Sequence, residues 1–310
     1  MKLIRKLADF PEQLRGGALT IGNFDGVHLG HKVIIDQLKQ FAFDENSALI
    51  VFTFDPHPVR ILRPKETPPP LTWTDRKANL LADLGVDAVV AYPTDKALLQ
   101  LSAREFFQQI VVEKIGASAM VEGPNFYFGK GREGNTEVLQ TLCDENGIDL
   151  KIMNPKIEGP DLISSSRIRN LISEGDVDQA CNLLTQPYRI RGMVTHGAGR
   201  GSTIGFPTAN LDAIDTLVPG KGVYAGRAWG DGRAHWSAIH IGPNPTFGDQ
   251  LLKVEAHLLD YDGSLYGQVI EVDFLSRLRD IEAFDSADQL QSQLHLDIES
   301  TREVGRNFSG

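Results

Sequence analysis

The sequence predicts an α/β protein in two parts, a parallel sheet covered by helices followed by a small antiparallel β-barrel. Up to about residue 184, short β-rich runs alternate with amphipathic helical stretches, the rhythm of strands joined by helical crossovers. Beyond that point the period drops to two, and Gly, Pro, Asn and Asp punctuate closely spaced strands. Length agrees, because 310 residues at roughly 100 to 200 per domain make two domains. The expected domains are 1–184 and 185–310, parted near Gln186 and Pro187.

Ala18 to Ile21 reads as a strand, followed by a helix with Ile34, Leu38 and Phe41 on one face. Ala48 to Phe54 is a continuous buried-type run, the kind a parallel sheet covers on both faces. Four prolines between Pro64 and Pro70 mark a surface loop and a candidate flap. Val86 to Tyr92 is a strand after a helix stopped by Gly85. Ser102 and Glu105 make a capping box for a helix that ends at Gly116. Ala117 to Val121 and Asp149 to Met153 complete five strands. Ser164 to Leu184 is helical, with a break at Gly175. Tyr188 to Thr195, Val223 to Trp229, His235 to Ile241, Lys253 to Leu259 and Gln268 to Phe274 supply the barrel. Ser286 caps a closing helix with Leu290, Leu294 and Ile298 on one side.

With 31 Lys and Arg against 41 Asp and Glu, the chain carries a net charge of −10, and neither half is basic. That balance argues against a grip on nucleic acid or on anionic lipid. A composition of 41% hydrophobic and 23% charged residues supplies ample core for a globular protein. The longest apolar run, Ala48 to Phe54, is far shorter than the roughly 18 residues of a membrane helix. Asp9 and Glu12 interrupt the N-terminal segment before an export leader could form. Cys143 and Cys181 lack CxxC spacing, which offers neither a disulfide framework nor a zinc site. A cytoplasmic protein without nucleic-acid or membrane partners is expected, and the sequence carries no sign of its oligomeric state.

Thr20 to His31 reads TIGNFDGVHLGH, placing glycines and two histidines between a strand and the start of a helix. Glycine lets backbone approach a ligand, and a helix N-terminus offers amide donors and a positive dipole end to phosphate. His28 and His31, three apart, share one face of the first turn and can donate to phosphate oxygens. The string resembles the GxFDGxHxGH signature of the HxGH nucleotidyltransferases, and ISSSRIR at Ile163 to Arg169 is similar to that superfamily's ISSTxIR. The resemblance implies a Rossmann-like sheet and an ATP site formed by Gly22, Phe24, Asp25, His28, His31, Ser165, Ser166 and Arg169. Ser166 stands where the family usually has Thr, keeping the hydroxyl. FTFDPHP at Phe52 to Pro58 and GPNFYFGKGREG at Gly123 to Gly134 resemble the branch whose acceptor is flavin mononucleotide. His57, Asn125, Phe126 and Phe128 are the implied flavin contacts, with the aromatic rings suited to an isoalloxazine.

The second half has no GxxxxGK[ST] loop. Gly197 to Asn210 reads GAGRGSTIGFPTAN, in which glycines can wrap phosphates while Thr208 and Asn210 offer neutral oxygens to a hard cation. Its end resembles the magnesium and nucleotide element of riboflavin kinases. GVYA at 222–225, IGPNPTF at 241–247, VEAHLL at 254–259 and LYG at 265–267 follow in that family's order. The resemblance implies a nucleotide loop of Gly199, Gly201, Gly205, Pro207, Thr208 and Asn210, with magnesium on Thr208 and Asn210. It implies Glu255 as catalytic base and Arg279 near the flavin. Ser202 replaces a basic residue common in the loop, Ser264 an acidic one before LYG, and Thr185 and Gln186 a usual Gly and Arg. Together the two motif sets look like bifunctional riboflavin kinase/FAD synthetases: riboflavin and ATP give FMN, then FMN and ATP give FAD and pyrophosphate. The alternative is an FMN adenylyltransferase whose barrel only binds flavin and regulates.

Overall fold

The computed structural model describes residues 1–42, 47–154, 157–158, 161–197, 201, 204–244 and 249–308. Among these, the chain divides into two compact units, one of Met1–Pro68 with Trp73–Ser164 and one of Pro69–Thr72 with Ser165–Gly310.

The first unit is built on six parallel strands: β1 (Lys2–Ile4), β2 (Ala18–Ile21), β3 (Leu49–Phe54), β4 (Ala88–Tyr92), β5 (Ala119–Glu122) and β6 (Asp149–Ile152). Their order is β1-β4-β3-β2-β5-β6, so chain direction across the sheet reverses between β2 and β5. Ligand crevices of open α/β sheets form outside the carboxyl ends of strands at such a switch. Both faces are covered, which is why β2 and β3 are apolar but for Thr20 and Thr53, both fully buried. Leu19, Ile21, Ile50 and Phe52 pack on one side with Phe106, Phe107, Ile110 and Leu139. Val51 and Val89 pack on the other with Ile35, Ala78 and Leu81. The helices are α1 (Leu29–Phe41), α2 (Pro58–Leu62), α3 (Thr74–Asp83), α4 (Ala103–Phe106) and α5 (Thr136–Asn146).

The Ser102 capping box forms as expected, and Gly116 ends the helix in a left-handed conformation with φ 62. Between them α4 widens into a π-helix over Phe107–Ile115, a register that the apolar pattern does not distinguish from an α-helix. Strand β1, unanticipated from the sequence, is three residues long and pairs with β4 from Lys2 opposite Ala88 to Ile4 opposite Val90. The proline-rich stretch holds a single 3-10 turn, Pro64–Glu66.

In the second unit α6 (Ser165–Glu174) and α7 (Val177–Leu183) precede a closed six-stranded barrel. Its strands are β7 (Tyr188–Thr195), β8 (Ala209–Asp212), β9 (Gly222–Gly230), β10 (Arg233–Asn244), β11 (Asp249–Leu258) and β12 (Val269–Arg279), closed in the order β8-β11-β10-β9-β12-β7. A closing helix, α8 (Ala287–Asn307), packs against β9, β10 and β12. Strand β8 is the barrel element that alternation alone does not reveal, since only four residues follow the glycine-rich loop. Tyr224, Ile239, Ala256 and Phe274 are fully buried. Closure leaves this sheet without open edges.

One barrel row is ionic. Asp273 is fully buried and bonded by Arg189 and by Arg227, whose Nη2 lies 2.9 Å away. Arg189 also reaches Glu271 at 2.7 Å and lies 3.6 Å over the Trp229 ring. Removing the carboxylate charge would leave two cations facing a low-dielectric wall. Asp273→Asn is therefore expected to cost about 3 kcal/mol, read as an earlier urea midpoint for barrel unfolding.

Candidate active sites

The first site grows from the way β2 enters α1. Beyond Ile21 the chain turns through Phe24 (φ 47), Gly26 (φ 84) and Val27 (φ 42) before the helix starts. Non-glycine residues at positive φ are costly and persist only where the surroundings hold them. Here the helix cap does some of the holding. The backbone N–H of His31 donates to Nδ1 of His28 at 3.3 Å, and the backbone N–H of His28 donates to Nδ1 of His31 at 3.2 Å. Two histidines thus form a reciprocal capping box, a role more often filled by Ser and Glu. Their rings stack at 3.6 Å and 15°. Gly30 makes the stacking room, since a Cβ there would stand 3.0 Å from the His28 ring.

This cap fixes protonation. Each Nδ1 accepts a hydrogen bond, so the ring proton resides on Nε2, the atom left to donate to an incoming anion. Burial pushes the His28 pKa down to about 4, against the upward pull of Asp25. Burial, His28 and the Lys77 charge hold His31 well below the ordinary histidine range. Both rings are neutral donors at neutral pH. Phe24, 3% exposed, lies tilted on His31 at 4.8 Å and is accommodated by Gly22. Asp25 is buried beside them.

The fold sends the other first-half candidates to different tasks. His57 caps α2, its Nδ1 accepting from Val59 N at 3.1 Å, so it too carries its proton on Nε2. Phe128 belongs to the core, and Phe126 stacks on it at 5.3 Å and 18°. Asn125 is exposed. Gly134 closes a bridge to Phe128 through hydrogen bonds of 3.1 and 3.0 Å, pinning this aromatic loop. Ser165, Ser166 and Arg169 occupy the opening of α6, where Arg169 Nε donates to Pro69 O at 2.9 Å.

Between β2 and β5, Glu122 is 2% exposed and accepts from Ile21 N at 2.7 Å. Burial raises its pKa well above the usual carboxylate range. Sequence patterning passed over this residue, and it passed over Lys77 as well. The detectable signal was a lysine on the same face of α3 as Ala78, Leu80 and Leu81, all buried.

The second site lies along one row of the barrel. Asn210 on β8 stands opposite Glu255 on β11, and Glu255 opposite His240 on β10. The same row continues through Val223 to Arg279. Val254 and Ala256, the neighbours of Glu255, are buried, so alternation turns Glu255 to the outer face, where it is half-buried. His240 Nε2 lies 3.2 Å from Pro243 O. Burial lowers its pKa while the Glu255 charge opposes the shift. Arg279 is held by a bidentate pair with buried Asp297 of α8, at 2.9 and 2.8 Å.

The described end of the glycine loop is tied down beside this row. Phe206 N donates to Gly201 O at 2.8 Å, and Gly205 adopts φ 85. His257 contacts Pro207 O at 2.7 Å, Gln291 Nε2 donates to Ile204 O at 3.2 Å, and Phe206 meets the His295 ring edge-on at 5.1 Å. Thr208 and Asn210 are half-buried, and a Cβ on Gly197 would intrude to 2.8 Å from Asn210 Oδ1. Gly199, Ser202 and residues 245–248 lie outside the described residues. Neutral oxygens with a nearby carboxylate suit magnesium, which keeps several waters and takes few protein ligands. Among the described residues no cluster of three or more His, Cys, Asp or Glu side chains could hold a metal alone. No described helix is long and apolar enough to cross a membrane.

Comparison with known proteins matches residues 10–167 to the FAD synthetase family and residues 184–305 to the riboflavin kinase family. The bifunctional riboflavin kinase/FMN adenylyltransferase of Escherichia coli is 36% identical over 307 residues, covering 98% of this chain and 97% of that protein. The Bacillus subtilis protein of that name is 33% identical over 303 residues, covering 96% and 94%. A crystal structure from Streptococcus pneumoniae, described as a macrolide-efflux protein, superposes with a TM-score of 0.85 at 30% identity, covering 97% and 98%.

The histidine cap has a consequence for pH. Unfolded His28 titrates at 6.5 and folded His28 at about 4, so below 6.5 the unfolded chain binds the proton first. Stability from this group is complete above 6.5 and declines as pH falls toward 4. Histidine NMR titration should give a midpoint near 4 for His28, with the Nε2–H tautomer at neutral pH.

Proposed function

The chain belongs to the family of bifunctional riboflavin kinase/FMN adenylyltransferases, and from that premise we propose how its residues divide the work. It phosphorylates riboflavin with ATP to FMN, then transfers AMP from a second ATP to FMN, giving FAD and pyrophosphate. The observation that carries the reading is the tandem match of both families to one chain in one order. The functional division we adopt is adenylyl transfer in 1–184 and phosphorylation in 185–310.

In adenylyl transfer, an FMN phosphate oxygen attacks the α-phosphorus of ATP as the bond to pyrophosphate breaks. No proton need move at the reacting atoms, so the site requires fixed donors more than a base. His28 and His31 supply two Nε2–H groups, preset by their cap. Gly22 and Phe24 shape the turn around the nucleotide, with Asp25 beside it, and Ser165, Ser166 and Arg169 bind further phosphate oxygens. His57, Asn125, Phe126 and Phe128 serve the flavin: Phe128 as the buried support on which Phe126 stacks, and Asn125 and His57 as polar contacts.

In phosphorylation, the terminal ribityl hydroxyl attacks the γ-phosphorus and ADP leaves. Glu255 orients that hydroxyl and accepts its proton late in transfer. The glycine loop, including Gly199, Gly201, Gly205 and Pro207, wraps the nucleotide, and Arg279 lies toward the flavin, aimed by Asp297. Magnesium, held by Thr208 and Asn210, would offset phosphate charge. We assign the chain to the cytoplasm, with small molecules rather than nucleic acid as partners. Two free thiols, Cys143 buried and Cys181 half-buried, suit a reducing compartment.

The test is flavin chromatography after incubation with ATP and magnesium, starting from riboflavin in one sample and FMN in another. FMN and then FAD should form in the first, and FAD in the second. FAD from FMN alone would make the barrel a regulatory flavin-binding module. Glu255→Gln should slow FMN formation by about 1000-fold while sparing FAD formation from supplied FMN. His31→Ala should do the reverse, costing adenylyl transfer about 100-fold or more.

A further inference from the structure

Beneath the turn that carries the histidine pair lies a polar knot to which the reading above gives no role. Lys77, on the buried face of α3, is only 9% exposed. Its Nζ donates to the carbonyl of Asn23 at 2.7 Å and lies 3.5 Å from Thr53 Oγ1. Thr53, fully buried at the end of β3, donates to that same carbonyl at 3.1 Å. Asn23 sits between Gly22 and Phe24, at the entrance to the positive-φ stretch that ends in the His28 cap. One lysine and one threonine therefore clamp a single carbonyl of a strained turn from below.

The position is chemically expensive. Taking an ammonium out of water costs several kcal/mol unless it is paired and hydrogen-bonded, and burial does lower the Lys77 pKa. A leucine would continue the apolar face of α3 at no such cost. The charges facing Lys77 are Asp25 in the turn and Asp55 after β3, and the titratable but neutral ring of His31 on α1 also feels it. Asp55 accepts from Thr74 Oγ1 at 2.6 Å and lies 3.7 Å from Arg5, which also reaches Asp75 at 2.8 Å. Asp25 thus acts electrostatically on both Lys77 and His28, raising the pKa of each.

We propose that Lys77 is a positioning residue for adenylyl transfer: it fixes the Asn23–Asp25 turn that aims His28 and His31 and offsets the Asp25 charge against an entering triphosphate. The inference rests on the assignment of that reaction to this turn. Lys77 acts through the histidine cap and reaches no reacting atom. Its removal takes one of two side-chain donors from the Asn23 carbonyl, loosening the turn, and takes a cation away from Asp25 as ATP phosphates arrive. It also removes one of the influences that keep His31 neutral.

The experiment compares the wild type, Lys77→Met and Lys77→Arg as full chains, measuring FAD formation from FMN, FMN formation from riboflavin, and histidine NMR titration. Lys77→Met should lower kcat for FAD formation about 100-fold, the scale of a displaced catalytic group, with a smaller change in the KM for FMN. FMN formation should stay at the wild-type rate, and the His31 titration midpoint should rise. Lys77→Arg keeps the charge and a donor, and should recover part of kcat and keep His31 neutral. The proposal is overturned if Lys77→Met leaves FAD formation and the His31 midpoint unchanged, or if both activities fall together with the unfolding temperature. A wild type that makes no FAD would overturn the assignment of the reaction, and the His31 midpoint would still decide whether Lys77 governs the turn.

Discussion

The first unit's candidate chemistry depends on two hydrogen bonds, each from a backbone N–H of one histidine to the ring of the other. In this arrangement the same two rings cap the helix through Nδ1 and present the candidate donors at Nε2, so satisfying the helix also selects the tautomer. A serine cap would close the helix equally well but would leave no ring N–H to present. The glycine between the histidines follows from the same constraint, since a side chain at position 30 would press on the ring it has to accommodate. Neutral donors also have a thermodynamic advantage over cationic ones in a buried pocket, because no charge must be desolvated before the ligand arrives.

The barrel meets a similar demand with sheet register. Asn210, Glu255 and His240 come from three strands separated by loops, and cross-strand pairing sets them in one line. Loop residues 204–208 then lie beside the line, secured by α8 and by His257. Arg279 is aimed by Asp297, a carboxylate that supports the row from a helix outside the barrel. Strands carry the polar groups of the row, and on the proposed reading the glycine-rich loop would supply backbone donors, a division common among phosphate-handling sites.

Much of this was legible in the sequence, for identifiable reasons. Long apolar runs such as β3 and alternating ones such as β7 are specified by burial on two faces or one, which leaves a readable period. Strands β1 and β8 span three and four residues, too few to show a period, and they form because a neighbouring strand offers unpaired backbone. The His28 and His31 spacing was visible, but their mutual capping depends on ring rotamers that no spacing encodes. Phe128 reads as one of the aromatic rings of a glycine-rich loop suited to a flavin, and the Gly134 bridge holds it where it joins the core. Lys77 and Asp297 were missed for the opposite reason. Each is a charged residue on an otherwise burying helix face, and a hydropathy pattern treats it as an interruption instead of the point of the design.

The alternation around Glu255 carries a further consequence, for how this protein can change. Val254 and Ala256 fill the barrel while Glu255 faces outward, so adjacent residues of β11 answer to separate demands. Substitutions inside the barrel are free to trade volume without disturbing the outer row, and the outer row can exchange polar groups without disturbing the core. Insertion or deletion of one residue is different, because a strand slipped by one position buries its carboxylate and exposes its valine. Changes of length in this half of the chain are therefore tolerable in the turns between strands, whereas the strands themselves accept replacement only at constant length.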